Sequence, residues 1–325
     1  MAQSEIPKVS LIIATYNRAD LLPRAINSAL AQTYDDYEII VVDDCSTDHT
    51  QEVIRRFDDP RVRSIRHGVN RGASEARNTG IASARGEYIA FLDDDDECTP
   101  NRLADQVSTL DSTPGVGMVY GWIEEINDET GAIRIPRNVQ NTHRGRAAFE
   151  AALIGTADTA FMLYPCIRAS IVRRVGGYDK RLATIGEDAV FAASVTQICD
   201  ADYVPAAVAR VHINHAYDRL SQTVSPSAYD KFLEVHMEKF GDELRRRPRA
   251  LAGFYAASAA GLMRVKQTRR AFGYILKAFG IEPFSPDNLS RLAYFGRSFI
   301  WYATPLRRYR AGARNLRSFI FGRGQ

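Results

Sequence analysis

The chain has 325 residues and a formal net charge of +3, with 45% hydrophobic and 25% charged residues, which excludes a disordered or fibrous chain and allows a sizeable core. Its four cysteines are widely spaced without a C-x-x-C pair, so neither a disulfide framework nor a zinc site is predicted and a reducing cytoplasm is expected. The longest uncharged run has 14 residues (250–263), shorter than the roughly 20 of a spanning helix, and no secretory signal is predicted before the first strand.

The first half of the chain alternates between strand and helix patterns. Val9–Ala14 is β-branched and apolar, as in a buried strand, and apolar residues at helical spacing follow Asp20, a candidate N-cap. This βαβ rhythm predicts an α/β fold with a mostly parallel, Rossmann-like sheet and flanking helices. Further strands are predicted at Glu38–Val42, Val62–Ile65 and Tyr88–Leu92, and further helices at Thr47–Arg56, Ala73–Ala84 and Asn101–Leu110.

The second half is less regular. Val116–Ile126 and Ala132–Ile135 predict a hairpin, and a helix is predicted to begin near Glu187. After about Ser225 the pattern changes to helices rich in Arg, Ala and aromatic residues. We therefore predict a catalytic domain over 1–225 and a mainly helical, basic region over 226–325.

Four consecutive aspartates, Asp93–Asp96, directly follow the predicted strand Tyr88–Leu92. Clustered carboxylates raise one another's pKa unless a positive group lies among them, and hard divalent cations prefer carboxylate oxygens and substrate phosphates. Ligands of open α/β sheets bind beyond the carboxyl ends of the strands. The run is therefore a candidate metal site, with Asp95 as the first expected ligand and Asp93 as the next. The alternative is a solvated acidic loop without a ligand.

Two other predicted strands also end in polar residues. The segment 14–18 ends the first strand and Asp43-Asp44 ends the second, so three strand ends converge on one crevice, as a nucleotide site requires. Tyr16 is positioned to cover a base and Asp44 to accept a hydrogen bond from a base edge. The alternatives are simple packing for Tyr16 and a helix N-cap over Ser46–Thr50 for Asp44. No glycine-rich phosphate loop is present, which favours a metal as the phosphate-binding group.

Together these segments resemble a family 2 glycosyltransferase of the GT-A fold, in order over roughly residues 7–220. The resemblance implies an inverting enzyme that uses a nucleoside diphosphate sugar. Each motif alone is weak, but their common order is specific. The matching segments are Val9–Arg18, Ile40–Asp48, Arg77–Gly80, Gly86–Asp96, Gly176–Asp179 and Gly186–Asp188.

The resemblance also implies roles for individual residues. Asp93–Asp95 correspond to the family's D-x-D motif, which binds ribose and the Mg²⁺ or Mn²⁺ on the diphosphate. Asp94 departs from the small residue that is common there, which leaves open which of Asp94 and Asp95 is the main metal ligand. Asp188, in the Glu-Asp pair, falls at the catalytic base, and His212 follows that pair where a His completes the metal or diphosphate site in related enzymes. The implied substrate-binding residues are Ala14, Tyr16, Asn17, Arg18, Asp44, Arg77, Asp93, Asp94 and Glu187.

The implied reaction is a single displacement that inverts the anomeric carbon. The metal acts as a Lewis acid on the leaving diphosphate, and Asp188 removes the proton of the acceptor hydroxyl. An ordinary Asp has a pKa of about 3.9 and is ionised at neutral pH. The alternative for Asp188 is a carboxylate that only interacts with a helix dipole, and the alternative for His212 is a solvent-facing position on a strand.

The positive charge is concentrated at the C-terminus. From Arg245 onward there are 17 Lys and Arg residues and two acidic residues, a balance of +15, whereas the preceding 244 residues have a balance of −12. Basic residues interleaved with aromatic residues in helices are typical of a protein that lies on an anionic membrane surface. The alternatives are a helical subdomain with merely solvated arginines and a nucleic-acid surface; no nucleic-acid partner is expected.

The sequence thus predicts a metal-dependent glycosyltransferase with Mg²⁺ or Mn²⁺ as cofactor and a UDP-sugar as the expected donor. A glycan or lipid-linked saccharide is the expected acceptor, recognised by Gly121–Ala160 and the C-terminal region. The expected location is the cytoplasm, at the inner face of the plasma membrane. The alternatives are a nucleotidyltransferase of similar topology and a non-catalytic sugar-nucleotide-binding protein.

Overall fold

A computed structural model of the chain describes residues 6–135, 143–154, 164–182, 185–213 and 224–283. Its strands are β1 (Val9–Thr15), β2 (Tyr37–Asp43), β3 (Val62–Arg66), β4 (Tyr88–Asp93), β5 (Glu97–Cys98), β6 (Val116–Asn127), β7 (Ile133–Arg134), β8 (Cys166–Arg168) and β9 (Asp200–Ile213). They form one sheet in the order β3-β2-β1-β4-β8-β6-β9-β5, with β7 paired to β6.

Helices cover both faces of this sheet. They are α1 (Leu22–Leu30), α2 (Thr50–Arg55), α3 (Ala73–Ser83), α4 (Arg102–Ser112), α5 (Arg146–Ile154), α6 (Ala169–Val175), α7 (Glu187–Ile198), α8 (Pro226–Arg245), α9 (Pro248–Arg264) and α10 (Thr268–Ile281). None of these helices is both long enough and apolar enough to cross a membrane.

The parallel core of the sheet sets the position of the site. Strands β3, β2, β1 and β4 are mutually parallel, and the apolar residues of β1 and β2 are buried on both faces, as in sheets covered by helices. The register places Thr15 beside Asp43 and Ala14 beside Asp93, so the polar ends of three strands lie side by side. The prediction of a mostly parallel α/β sheet is confirmed, because each antiparallel pair joins only two or three positions.

Several local predictions are confirmed and others are wrong. The hairpin is present as the β6–β7 pair, and α7 begins at Glu187. Asp20 does not cap α1, which begins at Leu22 without a side-chain cap. The second helix begins only at Thr50, because the Asp48 carboxylate accepts the Thr50 amide and hydroxyl protons and holds a turn before it.

Helices α8–α10 confirm the predicted helical character after Ser225. Their buried side chains belong to the same apolar cluster as those of α5 and α7, which pack on one face of the sheet. Phe232, Phe254 and Ile275 represent the three helices in this cluster. The helices are therefore continuous in packing with the sheet that carries the aspartates. Residues 284–325, and residues 136–142 and 155–160 of the predicted acceptor segment, lie outside the described residues.

Candidate active site

The aspartate run forms a compact carboxylate cluster at the end of β4. Asp93, Asp95 and Asp96 each offer an oxygen that lies within 4.8 Å of the others. Three hard oxygen donors at this spacing fit a divalent cation such as Mg²⁺ or Mn²⁺. Burial raises the pKa of Asp94 to about 7, and the neighbouring Asp95 carboxylate adds to the shift. The structure thus brings the two predicted ligands together, with Asp96 beside them.

Arg77, on α3, is the cation at the centre of the site. Its Nη2 donates a hydrogen bond to Asp93 Oδ1 at 2.9 Å, and its Nη1 lies 3.5 Å from Glu187 Oε1 and 3.9 Å from Asp188 Oδ1. The guanidinium also lies over the Tyr178 ring at 5.2 Å. Burial lowers the pKa of Arg77, but the surrounding carboxylates outweigh it and hold the pKa well above its usual range. Arg77 therefore links the D-x-D segment to the Glu-Asp pair.

Asp188 lies in the first turn of α7, across the cleft from Asp93. Gly186 precedes the helix with a left-handed backbone (φ 79°), and the Asp188 side chain is 48% exposed, so a substrate in the cleft can reach it. Although the side chain borders the open cleft, desolvation of its carboxyl group by the surrounding protein raises the pKa of Asp188 to about 7; Arg77 opposes this shift, and Glu187 and Asp93 add to it. The pKa of Asp188 therefore lies above the ordinary Asp value that the sequence alone suggests, chiefly because the carboxyl group is desolvated.

A cavity connects these groups. The cavity is open to solvent, and the empty space within it and at its mouth amounts to about 420 Å³. Arg77, Asp93 and Asp188 line its polar side, whereas Phe91 and Phe191 belong to its apolar wall. Charged groups beside aromatic walls suit a ligand that carries both hydroxyl and apolar surface, as a sugar does.

Asp44, at the end of β2, is 3% exposed and already has several partners. Oδ1 contacts His67 Nδ1 at 2.7 Å, and the amide of Gly72 donates to Oδ2 at 2.7 Å. Asp44 therefore holds in place the segment that precedes α3, the helix that carries Arg77. The capping alternative for Asp44 is wrong, because Asp43 accepts the Ser46 amide proton instead.

The segment after β1 is held against the segment after β2. The Asn17 amide donates to Ser46 Oγ at 2.9 Å, and Asn17 Oδ1 accepts the Thr47 amide proton at 2.7 Å. The Arg18 amide donates to Thr50 Oγ1. Tyr16, in contrast, is 44% exposed, so its ring remains accessible. The role of Tyr16 in covering a base stays a prediction.

Comparisons with known proteins identify the family. Residues 10–169 match the family described as Glycosyl transferase family 2. The putative colanic acid biosynthesis glycosyl transferase WcaA of Escherichia coli (strain K12) is 30% identical over 243 residues, which cover 72% of this chain and 83% of WcaA. The chain belongs to glycosyltransferase family 2.

Other family 2 relatives match over shorter segments. The succinoglycan biosynthesis protein ExoO of Rhizobium meliloti (strain 1021) is 47% identical over 111 residues, which cover 34% of this chain and 32% of ExoO. A UDP-Glc:alpha-D-GlcNAc-diphosphoundecaprenol beta-1,3-glucosyltransferase, WfaP of Escherichia coli, is 41% identical over 104 residues, 32% of this chain and 41% of WfaP. The chain thus matches about a third of ExoO and two fifths of WfaP.

Solved structures show the same GT-A fold. TarS 1–349 of S. aureus in complex with UDP-GlcNAc aligns over 91% of this chain and 92% of TarS 1–349, with a TM-score of 0.62 and 17% identity. The mannosyltransferase PcManGT of Pyrobaculum calidifontis, in complex with GDP-Man and Mn²⁺, aligns over 92% of this chain and 82% of that chain, with a TM-score of 0.56 and 21% identity. The predicted fold is confirmed.

His212 of this family 2 protein lies beside the cluster, on β9. It is 6% exposed, which rules out the solvent-facing alternative. Its amide donates to Asp96 Oδ1 at 2.8 Å, its Nδ1 contacts Asp128 Oδ1 at 2.6 Å, and its Nε2 lies 3.7 Å from Glu97 Oε1. His212 thus contacts the cluster through its backbone amide, and its role as a metal ligand stays a prediction.

The structure also places residues at the site that the sequence analysis missed. Tyr164 is buried, and its hydroxyl donates a hydrogen bond to Asp96. Burial and the carboxylates of Asp96 and Asp93 hold the pKa of Tyr164 well above its usual range. Tyr178 stacks on Phe191 with ring centroids 4.2 Å apart. Tyr178 lies in the family 2 segment Gly176–Asp179, so the sequence contained a signal for its position at the site. Tyr164 lies in none of the family 2 segments, so the sequence contained no such signal.

Proposed function

We propose that this family 2 protein transfers a sugar from a nucleoside diphosphate sugar to a hydroxyl group of a glycan or lipid-linked saccharide during polysaccharide synthesis. The observation that carries the proposal is that Asp93 of the carboxylate cluster and Asp188 line one cavity, with Arg77 between them. The cluster would hold the diphosphate end of a donor through a cation, and Asp188 would meet the acceptor. We propose a UDP-sugar as the donor.

The named substrates of similar proteins support these classes of donor and acceptor. TarS was solved with UDP-GlcNAc, and PcManGT with GDP-Man and Mn²⁺. The name of WfaP gives a UDP-glucose donor and a diphosphoundecaprenol-linked acceptor. WcaA and ExoO are named for the synthesis of colanic acid and succinoglycan. We propose a related polysaccharide role here.

The mechanism follows from the positions of the charged groups. When bound, a Mg²⁺ or Mn²⁺ ion on Asp93 and Asp95 supplies Lewis-acid stabilisation of the leaving diphosphate. The Asp188 carboxylate accepts the proton of the acceptor hydroxyl. That oxygen bonds to the anomeric carbon on the face opposite the diphosphate, whose bond to the carbon breaks, so the configuration is inverted. Arg77 positions Asp93 and favours the ionised form of Asp188.

A thermal-shift series with nucleotide sugars tests this proposal. We expect one donor to raise the melting temperature more with Mn²⁺ than without it, because a ligand that binds only the folded state stabilises it. Asp95→Asn should remove the Mn²⁺-dependent part of the shift, and Asp188→Asn should retain it while transfer is lost. If no donor stabilised the protein, or if Asp95→Asn left the shift undiminished, the site would be assigned wrongly.

The reaction products separate the competing functions. A glycosyltransferase releases a nucleoside diphosphate, whereas a nucleotidyltransferase releases pyrophosphate. We expect slow, Mn²⁺-dependent release of nucleoside diphosphate even without an acceptor, because water can replace the acceptor hydroxyl. Pyrophosphate release would support the nucleotidyltransferase instead, and donor binding without any turnover would support a non-catalytic binding protein.

We also propose that the protein lies on the cytoplasmic face of the membrane, with α10 toward anionic lipid. Ala271, Ile275 and Ala278 are buried against the protein, whereas Phe272 and Leu276, one turn apart, are 47% and 51% exposed. Exposed basic residues flank this apolar pair on α10 and the preceding turn. Apolar side chains bordered by cations suit an anionic lipid surface, where a lipid-linked acceptor would be available.

A further inference from the structure

Tyr164 lies against the carboxylate cluster although it follows Asp96 by 68 residues. Its side chain is 5% exposed, its hydroxyl donates to Asp96 Oδ2, and the same oxygen lies 3.3 Å from Asp93 Oδ2. Its backbone is left-handed, with φ 56°. Bulky residues rarely adopt this conformation, and such residues cluster at functional sites. The surrounding structure must therefore hold Tyr164 in place.

Two side chains of α4 supply that restraint. Arg102 Nη2 and Gln106 Nε2 each donate to the Tyr164 carbonyl oxygen at 3.0 Å. Arg102 is 0% exposed, and its Nη2 also lies 2.7 Å from the Phe91 carbonyl oxygen, on the strand that leads into the aspartates. Arg102 therefore ties the end of β4 to the backbone of Tyr164, and separating the two segments would break a hydrogen bond of a buried guanidinium.

Asp96 differs from the other members of the cluster. It is 3% exposed, whereas the Asp93 side chain is 40% exposed. One of its oxygens accepts the Tyr164 hydroxyl proton, and the other accepts the amide proton of His212 at 2.8 Å. Both Asp96 oxygens thus point toward protein donors, and the carboxylate joins three separate segments of the chain.

We propose that Tyr164 and Asp96 form an internal brace that sets the positions of Asp93 and Asp95, and that Asp96 is not itself a metal ligand. This inference rests on the proposed function, because it concerns the cation site of that function. Tyr164 is a positioning residue: it acts on the cation only through the carboxylates. Groups that orient ligands in this way typically change metal affinity about 10- to 100-fold when they are removed.

Mn²⁺ binding, measured by the electron paramagnetic resonance signal of free Mn²⁺, tests the brace without reference to activity. We expect Tyr164→Phe to weaken Mn²⁺ binding about tenfold, because the hydroxyl no longer holds Asp96 and Asp93 together. Tyr37→Phe is the matched control: Tyr37 is also buried, and its hydroxyl donates to the Ala29 carbonyl oxygen, away from the cluster. Its affinity for Mn²⁺ should equal that of the wild type.

A second pair of variants distinguishes a bracing role of Asp96 from a role as a metal ligand. Asp95→Asn should abolish Mn²⁺ binding, whereas Asp96→Asn should weaken it about as much as Tyr164→Phe. In transfer assays, Tyr164→Phe should need about tenfold more Mn²⁺ for half-maximal rate but approach the wild-type kcat at saturation. If Tyr164→Phe bound Mn²⁺ with wild-type affinity, the proposed brace would be wrong. The same would follow if Asp96→Asn lost Mn²⁺ binding as completely as Asp95→Asn. Neither result would contradict the proposed function. Mn²⁺ binding without donor turnover would instead overturn the proposed function.

Discussion

At the scale of single residues, Asp188 shows how neighbouring groups in the site change the pKa of an aspartate. Arg77 favours its ionised form, whereas burial and the nearby acids Glu187 and Asp93 favour the protonated form. The second influence prevails and raises the pKa to about 7. A base whose pKa lies near neutrality is well matched to accepting a proton from a hydroxyl group.

The rate of transfer should therefore depend on pH near neutrality. Protonated Asp188 cannot accept a proton, so we expect kcat/KM to fall as the pH decreases through about 7, tenfold for each further pH unit. A pH–rate profile in saturating Mn²⁺ measures this. Asp188→Asn should lower kcat by about 10²- to 10⁴-fold, and its residual rate should lose the acidic limb. A wild-type profile that is flat between about pH 5 and 8 would contradict the assignment.

At this scale the sequence predicted residues that stand in contiguous motifs. The run Asp93–Asp96 and the pair Glu187-Asp188 could be recognised because their neighbours in the chain identify them. Tyr164 could not, because its place against Asp96 depends on α4 and on a left-handed backbone. The raised pKa of Asp188 also depends on groups from other elements, so sequence alone predicts only the ordinary value.

At the scale of elements, α8 supports the start of α7 directly behind Asp188. A Cβ atom on Gly186 would lie 2.1 Å from Phe232 Cδ2, and Gly186 has φ 79°. The close approach and the left-handed backbone both require glycine. The C-terminal helices therefore help to position the Glu-Asp pair.

Gly186→Ala should reduce both stability and transfer. The left-handed backbone alone should cost about 1–2 kcal/mol, and the clash with Phe232 should add to this and displace Asp188. Gly176→Ala is a matched control, since Gly176 has φ 81° but a methyl group there would meet no atom within 4 Å. Melting temperature and kcat measure the two effects. Equal losses in both variants would show that contact with Phe232 does not matter.

The packing of α8 on α9 contains a buried histidine. His236 is 0% exposed, stacks on Phe254 at 4.7 Å and contacts Phe232 and Phe240. Its Nε2 donates to the Leu153 carbonyl oxygen at 2.8 Å, and its Nδ1 is buried without a hydrogen-bond partner among the residues that the structure describes. Aromatic rings and one carbonyl form these contacts, so burial lowers the pKa of His236 to about 4.

Because of this lowered pKa, the contribution of His236 to the free energy of unfolding should decrease at acid pH. Neutral His236 favours the folded state fully above pH 6.5, and that contribution is lost as the pH falls from 6.5 to about 4, because the unfolded chain takes up the proton first. We expect His236 alone to lower the free energy of unfolding by about 2 kcal/mol at pH 5 relative to pH 8. The raised pKa values of Asp94 and Asp188 act in the opposite direction over the same range, so the contribution of His236 is measured against the wild type. In urea unfolding, the change from pH 8 to pH 5 should be about 2 kcal/mol more favourable in His236→Gln than in the wild type, whereas His49→Gln, at an exposed histidine, should change like the wild type.

The elements themselves followed from apolar patterning in the parallel half of the sheet. Strands β1, β2 and β4 are buried along most of their length, so continuous apolar runs identified them. Strand β9 was considered only around His212 and its full length was not predicted, because its 14 residues mix buried, partly buried and exposed positions and contain a proline. Its pairing with β6 is a long-range contact that has no local signal.

At the scale of the whole molecule, charge and exposed apolar surface coincide at the C-terminal end. The balance of +15 from Arg245 onward is carried by the end of α8, the turn after it, α9, α10 and the residues that follow in the chain. Phe272 and Leu276 are the exposed large apolar side chains of α10. Lipid binding there should have an electrostatic part, which salt screens, and an apolar part, which salt does not weaken.

Flotation with vesicles separates these two parts. We expect the full chain to float with vesicles that contain phosphatidylglycerol and less with vesicles of phosphatidylcholine alone. The double variant Phe272→Ser and Leu276→Ser should bind about 30-fold more weakly, because each half-buried apolar side chain contributes on the order of 1 kcal/mol at the interface. The control variant Val69→Ser and Ile133→Ser removes two side chains that are 61% and 60% exposed elsewhere on the molecule. It should bind like the wild type, and equal flotation of both double variants would contradict the orientation of α10 toward lipid.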